Sequence, residues 1–271
     1  MRTTAILNLK GGVAKTTTTV NMAAILAAIH GKRVLVVDAD SQANTTEFLG
    51  SSNAGQTLAD LLRGKYMTPH ATIKPSNVTG VDLIPADDSL MDLDLSSVKS
   101  EEVNVAELDL LLTAHAEEYD TTLIDCPPAF NAASAAALVA ADDVIIPIKL
   151  DAFSLHGMTN LMRQIANMRA INPALRLAGL LPTMIYKSEN MQEARDALVA
   201  SGLPVFPPIR RTNKVDDMTF AQEPLIQSSP KSAACVDYKR FVEKYLEDGE
   251  GRIAAAPSGP RNDRKGDARN G

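Results

Sequence analysis

Three stretches, "TTAILNL" (3–9), "RVLVVDAD" (33–40) and "TTLIDCPPAF" (121–130), are short, almost continuously apolar, and break off at Gly, Asp or Pro. A strand with one wet face alternates polar and apolar residues. A continuous apolar run instead needs cover on both faces, which is the signature of a buried parallel sheet. "VDLIPA" (81–86), "DVIIPIKL" (143–150) and "LRLAGLLPTMI" (175–185) read the same way.

Helical stretches separate these runs. "TTTTVNMAAILAAIHG" is closed by Gly31, and "TLADLLRG" (57–64) is short. The spacing predicts further helices over 101–119, 132–141, 154–172, 189–202 and 231–248. Strand and helix alternate along the chain. The expected fold class is therefore α/β, a single domain with a mostly parallel twisted sheet and helices on both faces. The domain is expected to span 1–248. Residues 249–271 have little to bury and read as a disordered tail.

Composition narrows the class. With 45% apolar and 22% charged residues, the chain resembles an ordinary soluble globular protein. The net charge of −6 argues against coating nucleic acid through bulk charge, though not against a local basic patch. Cys126 and Cys235 make no zinc pattern and no disulfide framework. A reduced, cytoplasmic setting is expected. No run approaches the roughly 18 apolar residues of a membrane span, and no secretory leader is evident.

In such sheets, ligands sit beyond the carboxyl ends of the strands. Lys10, Asp40 and Asp125 all fall at such ends. Between the first strand and first helix lies "LNLKGGVAKTTTTVN" (7–21). Gly11 and Gly12 let the backbone turn tightly and offer N–H groups to phosphate oxygens. Lys15 sits where a lysine reaches β- and γ-phosphates, at the start of a helix, and Thr16 supplies a hydroxyl for magnesium. Asp125 is placed as the second magnesium-positioning carboxylate. Yet the pattern G-x-x-x-x-G-K-[ST] requires Gly at 9 and 14, where this chain has Leu9 and Ala14.

"KGGVAKTT" (10–17), "VLVVDADSQAN" (34–44) and "TLIDCPP" (122–128) resemble the three nucleotide motifs of the ParA/MinD family of deviant Walker A ATPases. The likeness runs from residue 3 to about residue 246 and points to ParA/Soj-type DNA-partition members. In that family's pattern the first position is a lysine, which Lys10 matches, so Leu9 is no defect. The resemblance implies a homodimer that sandwiches two ATP molecules. Lys10 would reach the partner's phosphates, acting like an arginine finger.

It also implies nucleotide contacts from the loop Lys10, Gly11, Gly12, Val13, Ala14, Lys15, Thr16 and Thr17. Asp40 would position the attacking water. Catalysis is thus expected of Lys10, Lys15 and Asp40, with Mg²⁺ held by Thr16 and Asp125. Asp38 reads either as a structural strand-end residue or as an organiser of magnesium and its waters. Ala14 departs from the usual glycine, and its methyl group is expected to require a negative φ.

Further along, Thr183, Met184 and Pro208 match segments that form the family's adenine pocket. Lys187, Arg195, Arg210, Arg211 and Lys214 match a region that contacts DNA phosphates without reading sequence. Interspersed Glu189, Glu193 and Asp196 leave a solvated mixed-charge face as the other reading. The implied function is a slow, partner-stimulated ATP hydrolase that binds nonspecific DNA and partitions it with a ParB-like partner. Such a protein is cytoplasmic and nucleoid-associated in bacteria. A MinD-like membrane-associated positioning ATPase is the alternative. It needs a C-terminal lipid-inserting helix; the polar Pro/Gly tail predicts no stable membrane anchor. A metal-cluster member would need a bridging cysteine pair, and Cys126 has no near partner in sequence. A tyrosine kinase would need tail tyrosines, absent after 246. A repressor type would need a domain ahead of residue 10.

Overall fold

The computed structural model describes residues 1–50, 55–151 and 154–255. Seven strands form one sheet: β1 Arg2–Ile6, β2 Val34–Asp38, β3 Lys74–Pro75, β4 Val81–Ile84, β5 Thr121–Asp125, β6 Asp143–Lys149 and β7 Arg176–Thr183. Their order is β3-β4-β2-β5-β1-β6-β7. All pairings are parallel except that of the two-residue edge strand β3 with β4. Pro75 has no N–H to donate, which suits it to that edge.

The helices are α1 Lys15–His30, α2 Asn44–Phe48, α3 Leu58–Leu62, α4 Leu95–Lys99, α5 Glu107–Ala114 and α6 Ala132–Ala140. They continue with α7 Ser154–Met168, α8 Glu189–Ala200, α9 Lys214–Ala221, α10 Leu225–Ser228 and α11 Ala233–Ala255. Short 3-10 turns lie at Pro69–Thr72 and Asp88–Asp92.

The continuous apolar runs have the expected cause. Along β2, Leu35 and Val37 enter one core with α3, α5 and α6, while Val34 and Val36 enter the other with α1 and α11. Side chains alternate across the sheet, and both sides are dry. Tyr238, Phe241 and Tyr245 of α11 are fully buried against that second core. Tyr245 Oη meets Thr4 Oγ1 at 2.8 Å, and the Arg2 guanidinium lies 3.9 Å from the centre of the Tyr245 ring. The carboxyl-terminal helix is thereby tied to the first strand.

Two boundaries differ from the sequence expectation. The helix expected over 101–119 is only Glu107–Ala114. Glu101 adopts a φ of 62°, and Asn104 competes for the backbone: its Oδ1 accepts from Ala106 N at 3.0 Å. Asparagine's local hydrogen bonds commonly displace a helix start in this way. The last helix runs to Ala255, past the domain boundary expected at 248. The remainder of the expected tail, from 256, lies outside the described residues.

Candidate functional site

Register brings the acidic strand ends together. Asp38 of β2 is the Cα partner of Asp125 of β5, and Ile6 of β1 is the partner of Asp125 on its other side. The loop 7–14 therefore leaves β1 directly beside Asp125, with Asp38 one strand further across. Asn8 braces it: Nδ2 donates to Pro147 O at 2.8 Å, and Oδ1 accepts from Lys10 N at 2.9 Å.

Within the loop, Gly12 has a φ of 68° and Ala14 a φ of 69°. The expectation of a negative φ at Ala14 is thus wrong. The loop keeps the left-handed conformation natural to glycine, at an expected cost of about 1–2 kcal/mol for an L-residue. An added Cβ would meet nothing within 4 Å at Gly11 or Gly12. Nothing crowds the backbone of either glycine.

Lys15, in the first turn of α1, is buried. Its Nζ donates to Lys10 O at 3.3 Å. Burial lowers its pKa, and the nearby charges of Asp125 and Asp40 oppose that shift. Thr16 Oγ1 donates to Asp125 Oδ2 at 2.6 Å, and Thr45 Oγ1 donates to the same oxygen at 2.6 Å. The other oxygen, Asp125 Oδ1, is buried with no hydrogen-bond partner. A buried orphan acceptor is costly unless something cationic satisfies it. Burial pushes the Asp125 carboxyl up to about 6.

Asp38 is fully buried and pushed up to about 7, first by burial and then by the charge of Asp125. Its oxygens are engaged: Oδ2 accepts from Thr46 N and Thr46 Oγ1 at 2.8 Å each, and Oδ1 accepts from Asp40 N at 3.1 Å. Those bonds fix the turn that carries Asp40, so Asp38 organises its surroundings, while Asp125 retains the open ligand position. Asp40 Oδ1 in turn accepts from Gln42 N at 3.1 Å. This donor set fits a magnesium–triphosphate: a hydroxyl and a hard carboxylate for the cation, with a buried ammonium and loop amides for the phosphates.

A family model described as an AAA domain matches residues 1–177. The chromosome partitioning protein ParA of Caulobacter vibrioides is 34% identical over 263 residues, covering 94% of this chain and 98% of that protein. The chromosome-partitioning ATPase Soj of Thermus thermophilus is 33% identical over 250 residues, covering 91% and 96%. The chain belongs to the ParA/MinD family. The structure of cobyrinic acid a,c-diamide synthase from Mycobacterium smegmatis with bound ATP analog and magnesium has the same fold. It is 28% identical with a TM-score of 0.79, covering 93% of this chain and 97% of that one.

One adenine candidate of this ParA/MinD chain, Pro208, shares a cavity with four of the DNA candidates. A cavity of about 620 Å³ is lined in part by Pro208, Lys187, Arg195, Arg210 and Arg211. Thr183, at the end of β7, is buried, and its Oγ1 donates to Val13 O at 3.2 Å, joining β7 to the phosphate loop. Met184 follows with a φ of 56°. Two of the basic candidates are engaged within the chain. Arg210 holds Asp237 through Nε at 2.7 Å and Nη2 at 2.8 Å, and Lys214 Nζ lies 2.8 Å from Asp217. Lys187, Arg195 and Arg211 are exposed.

Sequence reasoning missed Asp151, Thr45 and Thr46. Lys10 Nζ donates to both oxygens of Asp151, two residues past the end of β6. Since β6 borders β1, a carboxylate just past its end was a findable signal. The Thr pair, at the start of α2 after the Asp-ended β2, was another.

Proposed function

We propose that this chain is an ATP-dependent partition switch of the ParA/Soj type, cytoplasmic and nucleoid-associated. In this reading ATP with Mg²⁺ joins two subunits, and the dimer binds nonspecific DNA. A ParB-like partner then speeds a slow hydrolysis that ends the bound state. The observation that carries it is the orphan oxygen Asp125 Oδ1, set beside Thr16 and the buried Lys15 under an open glycine loop.

Bound MgATP supplies the phosphoanhydride bond and the cation's charge. The chain's residues do the rest. Lys15 and the loop amides from Gly11 to Thr17 hold phosphate oxygens. Thr16 and Asp125 hold the cation, and Asp38 fixes the turn that presents Asp40 to the attacking water. Lys10 of the partner subunit brings positive charge to the transferring group, so catalysis waits on dimerisation.

The ParA and Soj relatives, named for chromosome partitioning, support the cellular role. The basic lining from Lys187, Arg195 and Arg211 supports a phosphate-backbone contact. A lipid-inserting reading is weaker here. The apolar side of α11 through Tyr245 is buried in the core, and no helix among the described residues is long and apolar enough to cross a membrane. The test is DNA binding by the pure protein with ATP, ADP or no nucleotide across a salt series. Binding that needs ATP, ignores sequence and falls steeply with salt is expected. Equal binding in all three states would overturn the reading.

A further inference from the structure

A second cluster lies at the opposite end of the strands from the phosphate loop, just before β5 begins. His115 caps the end of α5, Glu118 follows one turn later, and His70 comes from the 3-10 turn Pro69–Thr72. One ligand atom from each of the three falls within 4.8 Å of the others. His115 is buried, while His70 and Glu118 are exposed.

The tautomers can be read. His115 Nδ1 lies 2.9 Å from Leu111 O, which can only accept, so Nδ1 carries the proton. Its Nε2 lone pair then faces His70 Nδ1 at 3.0 Å. The rings are tilted by only 14°, with centroids 5.2 Å apart, which is the geometry of two imidazoles joined edge to edge through that contact rather than stacked face to face. A ring N–H donated to a backbone carbonyl is the usual support behind a metal-binding histidine; it fixes the tautomer and aims the other nitrogen.

We propose that His70, His115 and Glu118 form a site for a borderline divalent ion, zinc foremost. Two imidazoles and one carboxylate without thiolate are a known zinc donor set, and water completes the tetrahedron. Nitrogens each about 2.05 Å from a tetrahedral zinc stand roughly 3.3 Å apart. From the observed 3.0 Å the nitrogens must part slightly, and the two rings must each swing by roughly 35° to aim both lone pairs at one ion. His70 tilts out of the shared plane and moves its proton to the solvent-facing Nε2. Hard magnesium is disfavoured by the imidazoles. Because His70 and His115 are 45 positions apart, the ion would clip the segment before β3 onto α5. The site is independent of the nucleotide reading.

The experiment is calorimetric titration of chelator-treated full-length protein with ZnCl₂ in millimolar MgCl₂, with thermal denaturation alongside. One equivalent should bind, and Tm should rise because only the folded chain assembles the ligands. His70→Ala and Glu118→Gln should each weaken binding by about tenfold or more and abolish the Tm rise, leaving ATP binding unchanged. Co²⁺ should give a tetrahedral visible spectrum in the wild type and lose it in His70→Ala. No one-equivalent binding, or equal affinity in wild type and His70→Ala, would overturn the proposal.

Discussion

Lys10 Nζ lies 2.8 and 2.6 Å from the two carboxylate oxygens of Asp151 in the same chain. The lysine expected to reach into a partner subunit is thus held at home in the single chain. Both side chains are partly exposed, 37% and 29%. An ion pair of that kind is worth roughly 0.2–1 kcal/mol. A phosphate can therefore compete for the lysine. Because both protomers release the pair, Asp151→Asn should tighten ATP-dependent dimerisation by up to about thirtyfold. Analytical ultracentrifugation across a concentration series measures it. An unchanged or weakened dimer would show that the pair does not oppose association.

Ala14 holds a left-handed backbone, φ 69° and ψ 35°, where glycine is at ease. Ala14→Gly removes the strain, less the entropy that glycine loses on folding, for a net gain of about 0.5–1 kcal/mol. The melting temperature should rise by about 2 °C, with ATP binding retained. A drop in Tm would mean that the methyl group contributes packing that outweighs the strain.

Asp125 gives the pH prediction. Without metal or nucleotide its carboxyl is pushed up to about 6, above an unfolded value near 3.9. The folded state therefore holds the proton more tightly than the unfolded one. That contribution to stability is present below about pH 4 and is lost as pH rises through about 6. Asp125→Asn keeps an acceptor for Thr16 and Thr45 and carries no charge. The metal-free variant should match wild type at pH 4 and exceed it by about 2 kcal/mol at pH 8. It should also lose magnesium-dependent ATP binding. Urea denaturation at the two pH values reads the first effect. A variant less stable than wild type at pH 8 would contradict it.

The DNA-facing candidates divide by their partners. Lys187 and Arg195 line the cavity and are exposed, whereas Arg210 is locked on Asp237. Arg195→Glu should weaken ATP-dependent DNA binding and flatten its salt dependence with ATP binding intact. Arg210→Ala should lower Tm first, since it leaves Asp237, nearly buried, without its counter-charge. Filter binding and thermal melts separate the two. Equal DNA defects with equal Tm would reject the division.

What could be read from sequence was the part governed by local pattern. Apolar runs gave the parallel strands, and Gly31 closed α1 in a left-handed cap as its position implied. The loop's lysines and glycines carried their chemistry in their spacing. Asp151 was missed because its place just past a strand end gains meaning only from strand order, with β6 lying beside β1. Thr45 was missed for the same reason, since its acceptor lies on β5, whereas Thr46 bonds Asp38 only eight residues earlier and was legible from the local sequence. Ala14 was misjudged because intrinsic preference was given more weight than a loop that holds its shape.

The central claim is that two chains enclose two nucleotides, each supplying Lys10 across the interface. Sedimentation of Asp40→Ala with MgATP tests it most directly, beside the double variant Asp40→Ala with Lys10→Ala. The account predicts that the single variant runs at twice the 29.0 kDa chain mass with ATP and as one chain with ADP. The double variant should still bind ATP but stay a single chain. A monomeric Asp40→Ala protein, or an equally stable dimer without Lys10, would contradict the account.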